Sequence, residues 1–226
     1  ALQYTSMLGA PSLQHCQDRS LFGGAMNSGP VAVRLGLSGI AASGEEIMLR
    51  RDLELIERIG ARYHVQHVSS AGSVQLIREA KAAGLPVTAE ATPHHLLLTD
   101  AACMEYDSNF KMNPPLRTAT DVNVLRLGVA DGTIDCLATD HAPHSREEKA
   151  LEFALAPFGI ISLDCAVGLY VRALIETGLC DWPRLIEAMT SSAARVINSD
   201  LGTLRAGRPA DVTIIDPACE WTVDAE

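Results

Sequence analysis

The sequence predicts an α/β fold built on a parallel sheet. Short apolar, β-rich runs alternate along the chain with amphipathic helical patterns of roughly 10–15 residues, the order that βαβ units produce. The chain has 226 residues, of which 47% are hydrophobic and 20% charged, so it can bury a substantial core. A complete (β/α)8 barrel typically takes about 250 residues. We therefore expect the chain to be too short for a whole barrel plus anything else.

The first half of the chain contains two predicted strand–helix pairs. A short run after a Gly-Ala-Pro break predicts a strand over Ser12–Cys16. Apolar residues at helical spacing, interrupted by charges and ended by a glycine, predict a helix over Glu45–Ile59. The alternating, β-rich run Arg62–Val68 predicts a strand, and a helix ended by another glycine is predicted over Ser73–Ala83.

The same alternation continues in the second half. Strands are predicted over Pro86–Ala91 and Thr133–Thr139, on either side of a helix over Ala119–Ala130. Two further helical patterns cover Ile160–Glu176 and Pro183–Met189. Because each helix lies between two strands, the pattern indicates a parallel rather than an antiparallel sheet.

The last part of the chain changes character. Turn glycines precede the β-rich runs Val212–Ile215 and Trp221–Val223, so we expect residues 201–226 to begin a small β module after an α/β domain over residues 1–200. The segment Ala1–Leu8 has the composition of the last turns of a helix without an N-cap. We therefore expect this sequence to be the later part of a longer protein.

Charge and cysteine content narrow the function classes. Eighteen basic and 28 acidic residues give a net charge of −10 without any Lys/Arg block, which argues against nucleic acid or an anionic membrane as partner. No apolar run approaches the ~18 residues of a membrane helix. The six cysteines contain no CxxC pair and predict reduced thiols in a cytoplasmic protein. They are Cys16, Cys103, Cys136, Cys165, Cys180 and Cys219.

Histidines gather near the ends of the predicted strands. They are His15, His64, His67, His94, His95, His141 and His144. Ligands of parallel sheets bind at the carboxyl ends of the strands, so these side chains indicate a convergent site. Asp140 follows four apolar or small residues, where a carboxylate is unfavourable unless it is paired or binds a cation. Two interpretations remain open: a site for Zn²⁺, Mn²⁺ or Co²⁺, and a hydrogen-bonded structural cluster.

His64 and His67 are three positions apart on one strand and therefore face opposite sides of the sheet. His67 lies nearer the carboxyl end of the strand and is the better candidate ligand. His64 is interpreted as an outward or packing histidine.

Several motifs occur in an order that resembles a known family. They are VQHVSS, EATPHHLLLTD, KMNPPLR, DGTIDCLATDHAPH, APFGI and LGTLRAGRPADVTIID. Together they resemble the bacterial type of dihydroorotase in the amidohydrolase superfamily, over essentially the whole chain. The resemblance implies a (β/α)8 barrel with a binuclear zinc site at the strand ends, and a small β-sandwich built from both chain ends.

The resemblance also implies metal ligands. His15, in HCQD, and His67, in HVSS, match the histidines that bind the second, less buried zinc. Asp140, in ATDHAPH, matches the ligand of the first zinc, which is also the general acid and base. The family's usual glutamate after HC is Gln17 here, and Asp164 stands where a glutamate is common. Neither departure removes an implied ligand.

Substrate contacts are implied in the same way. Asn113, in KMNPPLR, matches a substrate contact, and His144 matches a contact of the substrate carboxylate. Phe158 and Gly159 match backbone positions at the dihydroorotate ring. Arg117 could be mistaken for the family's substrate arginine, but it is interpreted as a surface residue or one behind the site.

An expected motif is absent from these residues. The family's HxHxR motif, which supplies two zinc ligands and a substrate arginine, does not occur in the chain, and the bridging Asp or carboxylated Lys belongs to an earlier strand. The resemblance therefore implies barrel strands five to eight and the first part of the sandwich. We expect the 226 residues alone to bind at most one zinc, weakly, and to be inactive.

The activity implied is the reversible cyclisation of N-carbamoyl-L-aspartate to dihydroorotate in pyrimidine biosynthesis. Two alternatives remain open: another cyclic amidase, such as a hydantoinase or allantoinase, and a non-catalytic subunit that partners aspartate transcarbamoylase. The partner of the chain is left open between a second copy of the same chain, in a homo-oligomer, and aspartate transcarbamoylase. The charged segment Ser145–Ala156 is interpreted either as a loop that closes over the site or as a solvated loop.

Overall fold

The structure, a computed structural model, describes residues 1–223. Its strands are β1 (Ser12–Gln14), β2 (Met26–Asn27), β3 (Gly39–Ile40), β4 (Tyr63–Val65), β5 (Val87–Ala91) and β6 (Cys136–Leu137). Its α-helices are α1 (Leu2–Met7), α2 (Pro30–Leu35), α3 (Ser43–Ile59), α4 (Ala71–Ala82), α5 (Pro93–Leu97), α6 (Ala119–Asp131), α7 (Arg146–Lys149), α8 (Ala166–Tyr170), α9 (Trp182–Met189) and α10 (Ser191–Val196). A π-helical segment, Val171–Ile175, continues α8.

Four strands form the main sheet, in the order β1-β4-β5-β6, and every neighbouring pair is parallel. The register places Leu13, His64 and Thr88 side by side, and Glu90 beside Cys136. The parallel α/β sheet predicted from the sequence is therefore confirmed. Strands β2 and β3 form a separate parallel pair that the sequence patterns did not indicate, because each has only two residues.

The core lies between the sheet and its helices. In β5 the buried residues Val87, Ala89 and Ala91 alternate with Thr88 and Glu90, which point to the other face of the sheet. The three buried residues belong to one cluster with apolar side chains of α3, α4 and α6. Each large aliphatic side chain buried in this way contributes about 1.5–3 kcal/mol. This packing fixes the sheet and hence the positions of its strand ends.

Three predicted segments differ from the structure. The helix predicted over Ile160–Glu176 starts only at Ala166, because Ile160 pairs with His141 in an isolated parallel bridge. The predicted strands Val212–Ile215 and Trp221–Val223 are irregular in the structure. A strand needs a hydrogen-bonded neighbour, and no strand within residues 1–223 lies beside either run. The predicted β module over 201–226 therefore has no strand in its described part.

A capping box starts α6 and gives a first stability prediction. The hydroxyl of Thr118 accepts from the backbone N–H of Asp121, whose carboxylate accepts from the N–H of Thr118 and of Ala71. Replacing Thr118 with alanine is expected to lower the free energy of unfolding by about 1 kcal/mol (range about 0.5–2), measured by urea titration. Thr213→Ala, at an exposed irregular position, is the matched control, and an equal shift in both variants would contradict the prediction.

Among residues 1–223 there is no helix with the length and apolar character required to cross a membrane. All six cysteines carry free thiols.

Candidate metal centre

Two histidines meet at the carboxyl edge of the main sheet. His15 follows β1 directly, and His67 lies two residues after the end of β4. Because β1 and β4 are parallel neighbours, their carboxyl ends lie at the same edge of the sheet. Nδ1 of His15 is 3.0 Å from Nε2 of His67, with the two rings in a T-shaped arrangement.

Two of the three predicted metal ligands have unusual backbone geometry. His67 has φ = +32° and Asp140 has φ = +45°, in the left-handed region that non-glycine residues rarely adopt. Such a conformation is unfavourable by roughly 1–3 kcal/mol and persists only where surrounding contacts impose it. At each position the chain turns sharply out of a strand. Among the described residues, Tyr106 and Asn198 are the other non-glycine residues with positive φ, so two of these four positions are predicted ligands.

The carboxylate of Asp140 lies within electrostatic range of both histidines. Burial raises the pKa of Asp140 above its ordinary value, His67 and His15 lower it, and Glu90 adds to the increase. No hydrogen bond within residues 1–223 engages the Asp140 carboxylate. Among residues 1–223 the one close cluster of three metal-type donors is His64, Glu90 and Cys136, so the structure places Asp140 near the histidine pair without closing a three-donor cluster with it.

These donors fit a divalent cation of the zinc type. Imidazole nitrogens bind zinc at about 2.0–2.1 Å, so two such nitrogens of one ion can lie as close together as those of His15 and His67. Burial, together with the neighbouring His67, lowers the pKa of His15, which keeps this imidazole neutral and its lone pair available near pH 7. Imidazole nitrogens and carboxylate oxygens are both donor types that zinc accepts.

Gln17 connects this histidine pair to Asn113. Its side-chain N–H donates to Oδ1 of Asn113 at 2.9 Å, and its Oε1 is 3.3 Å from Nε2 of His15. If Nε2 of His15 carries the proton and donates it to Gln17, Nδ1 presents a lone pair towards His67. The sequence singled out Gln17 only as a departure from the family's usual glutamate at this position. The structure assigns it contacts with both a predicted ligand and a predicted substrate contact.

His144, Phe158 and Gly159 form a second group. Nε2 of His144 is 3.0 Å from the carbonyl oxygen of Phe158, and a Cβ at Gly159 would come within 2.8 Å of the His144 ring. The N–H of Gly159 donates to the carbonyl of Lys111, two residues before Asn113. Within residues 1–223 no hydrogen bond joins this group to the histidine pair or to Asp140. Its link to the centre runs through the segment that carries Asn113.

Arg117 is buried, which corrects the interpretation of it as a surface residue. Only 3% of it is exposed, and its guanidinium donates to the side chains of Ser69 and Asn27 and to the carbonyl of Ile40. Ser69 in turn donates its hydroxyl to Glu45. Arg117 therefore lies behind the loop that follows β4 and supports it. This agrees with the second interpretation from the sequence, a residue behind the site.

His64 is a buried packing residue on the face of the sheet that carries Glu90. Its Nδ1 is 2.8 Å from the hydroxyl of Thr88 and its Nε2 is 3.0 Å from Oε2 of Glu90. The thiol of Cys136 lies close enough to complete a metal-like cluster with these two side chains. However, His64 and Glu90 already pair with each other, and burial raises the pKa of Cys136 to about 12, so its thiol stays protonated at neutral pH.

Sequence reasoning did not assign roles to Glu90 or to His94. His94, in TPHH, is only 3% exposed and has no hydrogen-bond partner at either ring nitrogen among the described residues. Burial lowers its pKa to about 3, so it is neutral.

The contact between Glu90 and His64 could have been predicted from the alternation of the two strands, because residues 64 and 90 point to the same face of neighbouring parallel strands.

Comparison with known sequences gives consistent relatives. The chain is 53% identical over 225 residues to a dihydroorotase of Pelotomaculum thermopropionicum, and 50% identical over 227 residues to one of Anaeromyxobacter dehalogenans. These alignments cover 99% of this chain but 53% and 52% of the relatives. The chain thus spans about half the length of the curated relatives it matches.

Solved structures agree on the fold. A D-hydantoinase (dihydropyrimidinase) from Thermus sp. matches 92% of this chain and 48% of its own, with a TM-score of 0.79 and 26% identity. An L-hydantoinase (dihydropyrimidinase) from Arthrobacter aurescens matches with a TM-score of 0.81 at 24% identity, again over 92% of this chain and 48% of its own.

The sequence model of the amidohydrolase family matches residues 40–226, which is well over half of the chain. The matched region contains His67 and Asp140, at the ends of strands of the parallel sheet. On these grounds the chain belongs to the amidohydrolase family.

Proposed function

We propose that this chain is the later half of a zinc-dependent dihydroorotase. Its parallel sheet would supply strands five to eight of a (β/α)8 barrel, and residues 201–226 would join a small β-sandwich. The observation that carries the proposal is the approach of two imidazole nitrogens, His15 Nδ1 and His67 Nε2, at 3.0 Å, with the Asp140 carboxylate within electrostatic range of both rings. The relatives named dihydroorotase support the choice of reaction, since they match nearly the whole chain at 50–53% identity.

Zinc bound here would lower the pKa of a water molecule and polarise a substrate carbonyl. In this chain, His15 and His67 hold one metal position, and Asp140 holds the other. When dihydroorotate is opened, Asp140 accepts the proton of the attacking oxygen and delivers it to the leaving ring nitrogen. In the direction of cyclisation to dihydroorotate the proton moves the opposite way.

The substrate is an anion, whereas the chain carries a net charge of −10, so the pocket needs hydrogen-bond donors. Asn113 and His144 hold the polar edge of the substrate, and the backbone at Phe158 and Gly159 borders its ring. Gln17 contacts both Asn113 and His15, and it would thereby hold the substrate contact at a fixed distance from the metal ligand.

The test compares this chain with the longer protein in which it follows the upstream half of the barrel. We expect the longer protein to bind two zinc ions and to interconvert dihydroorotate and N-carbamoyl-L-aspartate. The chain alone should bind at most one zinc, weakly, without turnover. Zinc content by atomic emission and a coupled absorbance assay measure both. Turnover of hydantoins without turnover of dihydroorotate would overturn the assignment.

The second candidate is another cyclic amidase, and the hydantoinase structures favour it through their similar fold. Their identity of 24–26% is about half that of the dihydroorotase relatives, which is why we prefer the first assignment. A non-catalytic subunit that partners aspartate transcarbamoylase would not need His15, His67 and Asp140, all of which are present. We place the enzyme in the cytoplasm because its six cysteines are free thiols.

A further inference from the structure

Glu90 lies between the face of the sheet and the loop that carries His67. One carboxylate oxygen, Oε2, is 3.0 Å from Nε2 of His64. The other, Oε1, accepts a hydrogen bond from the backbone N–H of His67 at 3.3 Å. A single side chain on β5 thus contacts both the middle residue of β4 and the loop that follows this strand.

Glu90 accepts this hydrogen bond from a backbone N–H, that of His67, which has no backbone partner in the neighbouring strands among residues 1–223. Gln66 donates its N–H to the carbonyl of Gln14 and Val68 donates to the carbonyl of Glu90, so the residues on both sides of His67 bond to neighbouring strands. Because His67 has a positive φ, its own N–H turns out of this ladder. A buried N–H without an acceptor is unfavourable, and the Glu90 carboxylate supplies the acceptor.

His64 holds Glu90 in place from the other side. Its ring is only 1% exposed and lies between the Glu90 carboxylate and the hydroxyl of Thr88, 2.8 Å from Nδ1. The carboxylate is therefore fixed at one oxygen by a buried ring while its second oxygen reaches the loop. This arrangement limits the ways in which Glu90 can move away from His67.

We propose that Glu90 is a positioning residue, which holds His67 in its left-handed conformation and thereby directs Nε2 of His67 at Nδ1 of His15. The inference rests on the proposed metal centre for its functional consequence. Its structural part, the clamp on the His67 backbone, does not depend on a metal.

The test compares Glu90→Ala and Glu90→Gln in the full chain. Glutamine keeps an oxygen for the His67 N–H and an amide N–H for the ring of His64, whereas alanine removes both contacts. Glu90→Ala should accelerate hydrogen exchange of the His67 amide at least tenfold in the metal-free protein and weaken zinc binding by about 10–100-fold, measured by chelator competition. Glu90→Gln should stay within about threefold of the wild type in both measurements, on the order of a 0.6 kcal/mol difference.

Glu79→Ala, at an exposed position of α4, is the matched control and should change neither measurement. If Glu90→Ala does not fold, Glu90→Asp replaces it, because a carboxylate one methylene shorter cannot span His64 and the His67 N–H. Unchanged exchange of the His67 amide in whichever of these two variants folds would overturn the clamp. Amide exchange needs no metal, so it decides this question even if the wild-type chain binds no zinc, a result that would count against the metal centre alone.

Discussion

Replacing Asp140 with asparagine is expected to lower the kcat of the longer enzyme by about 10²–10⁴-fold, the usual contribution of a positioned acid–base group. An amide is a poor metal ligand and cannot carry the proton between the nucleophile and the leaving nitrogen. The substitution is nearly isosteric, so the loss should appear in kcat with little change in the melting temperature. Initial rates in both directions of the reaction measure it.

Asp131→Asn is the matched control for this experiment. Asp131 pairs with Arg78 at the surface, where its side chain is 47% exposed, and it has no part in the proposed site. The control should keep full activity. An Asp140→Asn enzyme that retained more than about a tenth of the wild-type kcat would remove Asp140 from the acid–base role.

The second large effect is expected at Arg117. Its guanidinium is buried and donates to Ser69, Asn27 and the carbonyl of Ile40. Replacing Arg117 with methionine leaves these acceptors, and the nearby buried Glu45, without their cation. We expect the free energy of unfolding of the chain to fall by about 3–5 kcal/mol, as when one partner of a buried charged network is removed. Urea titration followed by circular dichroism measures it.

Arg78→Met provides the comparison at the surface. Arg78 and Asp131 form an ion pair in which both side chains are 40–47% exposed. Exposed pairs of this kind contribute about 0–1 kcal/mol, so this variant should remain close to the wild type. Equal destabilisation by the two substitutions would mean that Arg117 contributes no more than a surface arginine.

Local patterns in the sequence were sufficient to predict elements whose signals lie within the segment itself. The helix predicted over Glu45–Ile59 forms as Ser43–Ile59, since its apolar spacing and terminal glycine act within the segment itself. The runs at 212–215 and 221–223 are rich in residues that favour strands, yet both are irregular in the structure. Strand formation depends on a neighbour, which composition does not specify.

In the candidate site, too, some residues could be predicted from the sequence and others could not. Histidines at the ends of parallel strands could be expected to converge, and His15 and His67 do approach each other. Glu90 bonds to the backbone of His67 and Arg117 to Ser69 in the same loop, and Gln17, next to His15, reaches Asn113; each of these hydrogen bonds joins residues far apart in the chain. No local spacing rule gives such contacts. For Arg117 the sequence left both a surface position and a position behind the site open, because a charged side chain is usually exposed.

The left-handed backbone at His67 and Asp140 has a consequence for directed evolution. Glycine adopts this conformation freely, so a glycine at either position would relieve about 1–2 kcal/mol of unfavourable backbone geometry. The same exchange would delete the imidazole or the carboxylate on which the proposed chemistry depends. A screen for thermal stability alone would therefore favour variants at the two positions where activity is most easily lost. Stabilisation of this protein should be sought elsewhere, with these two residues held constant.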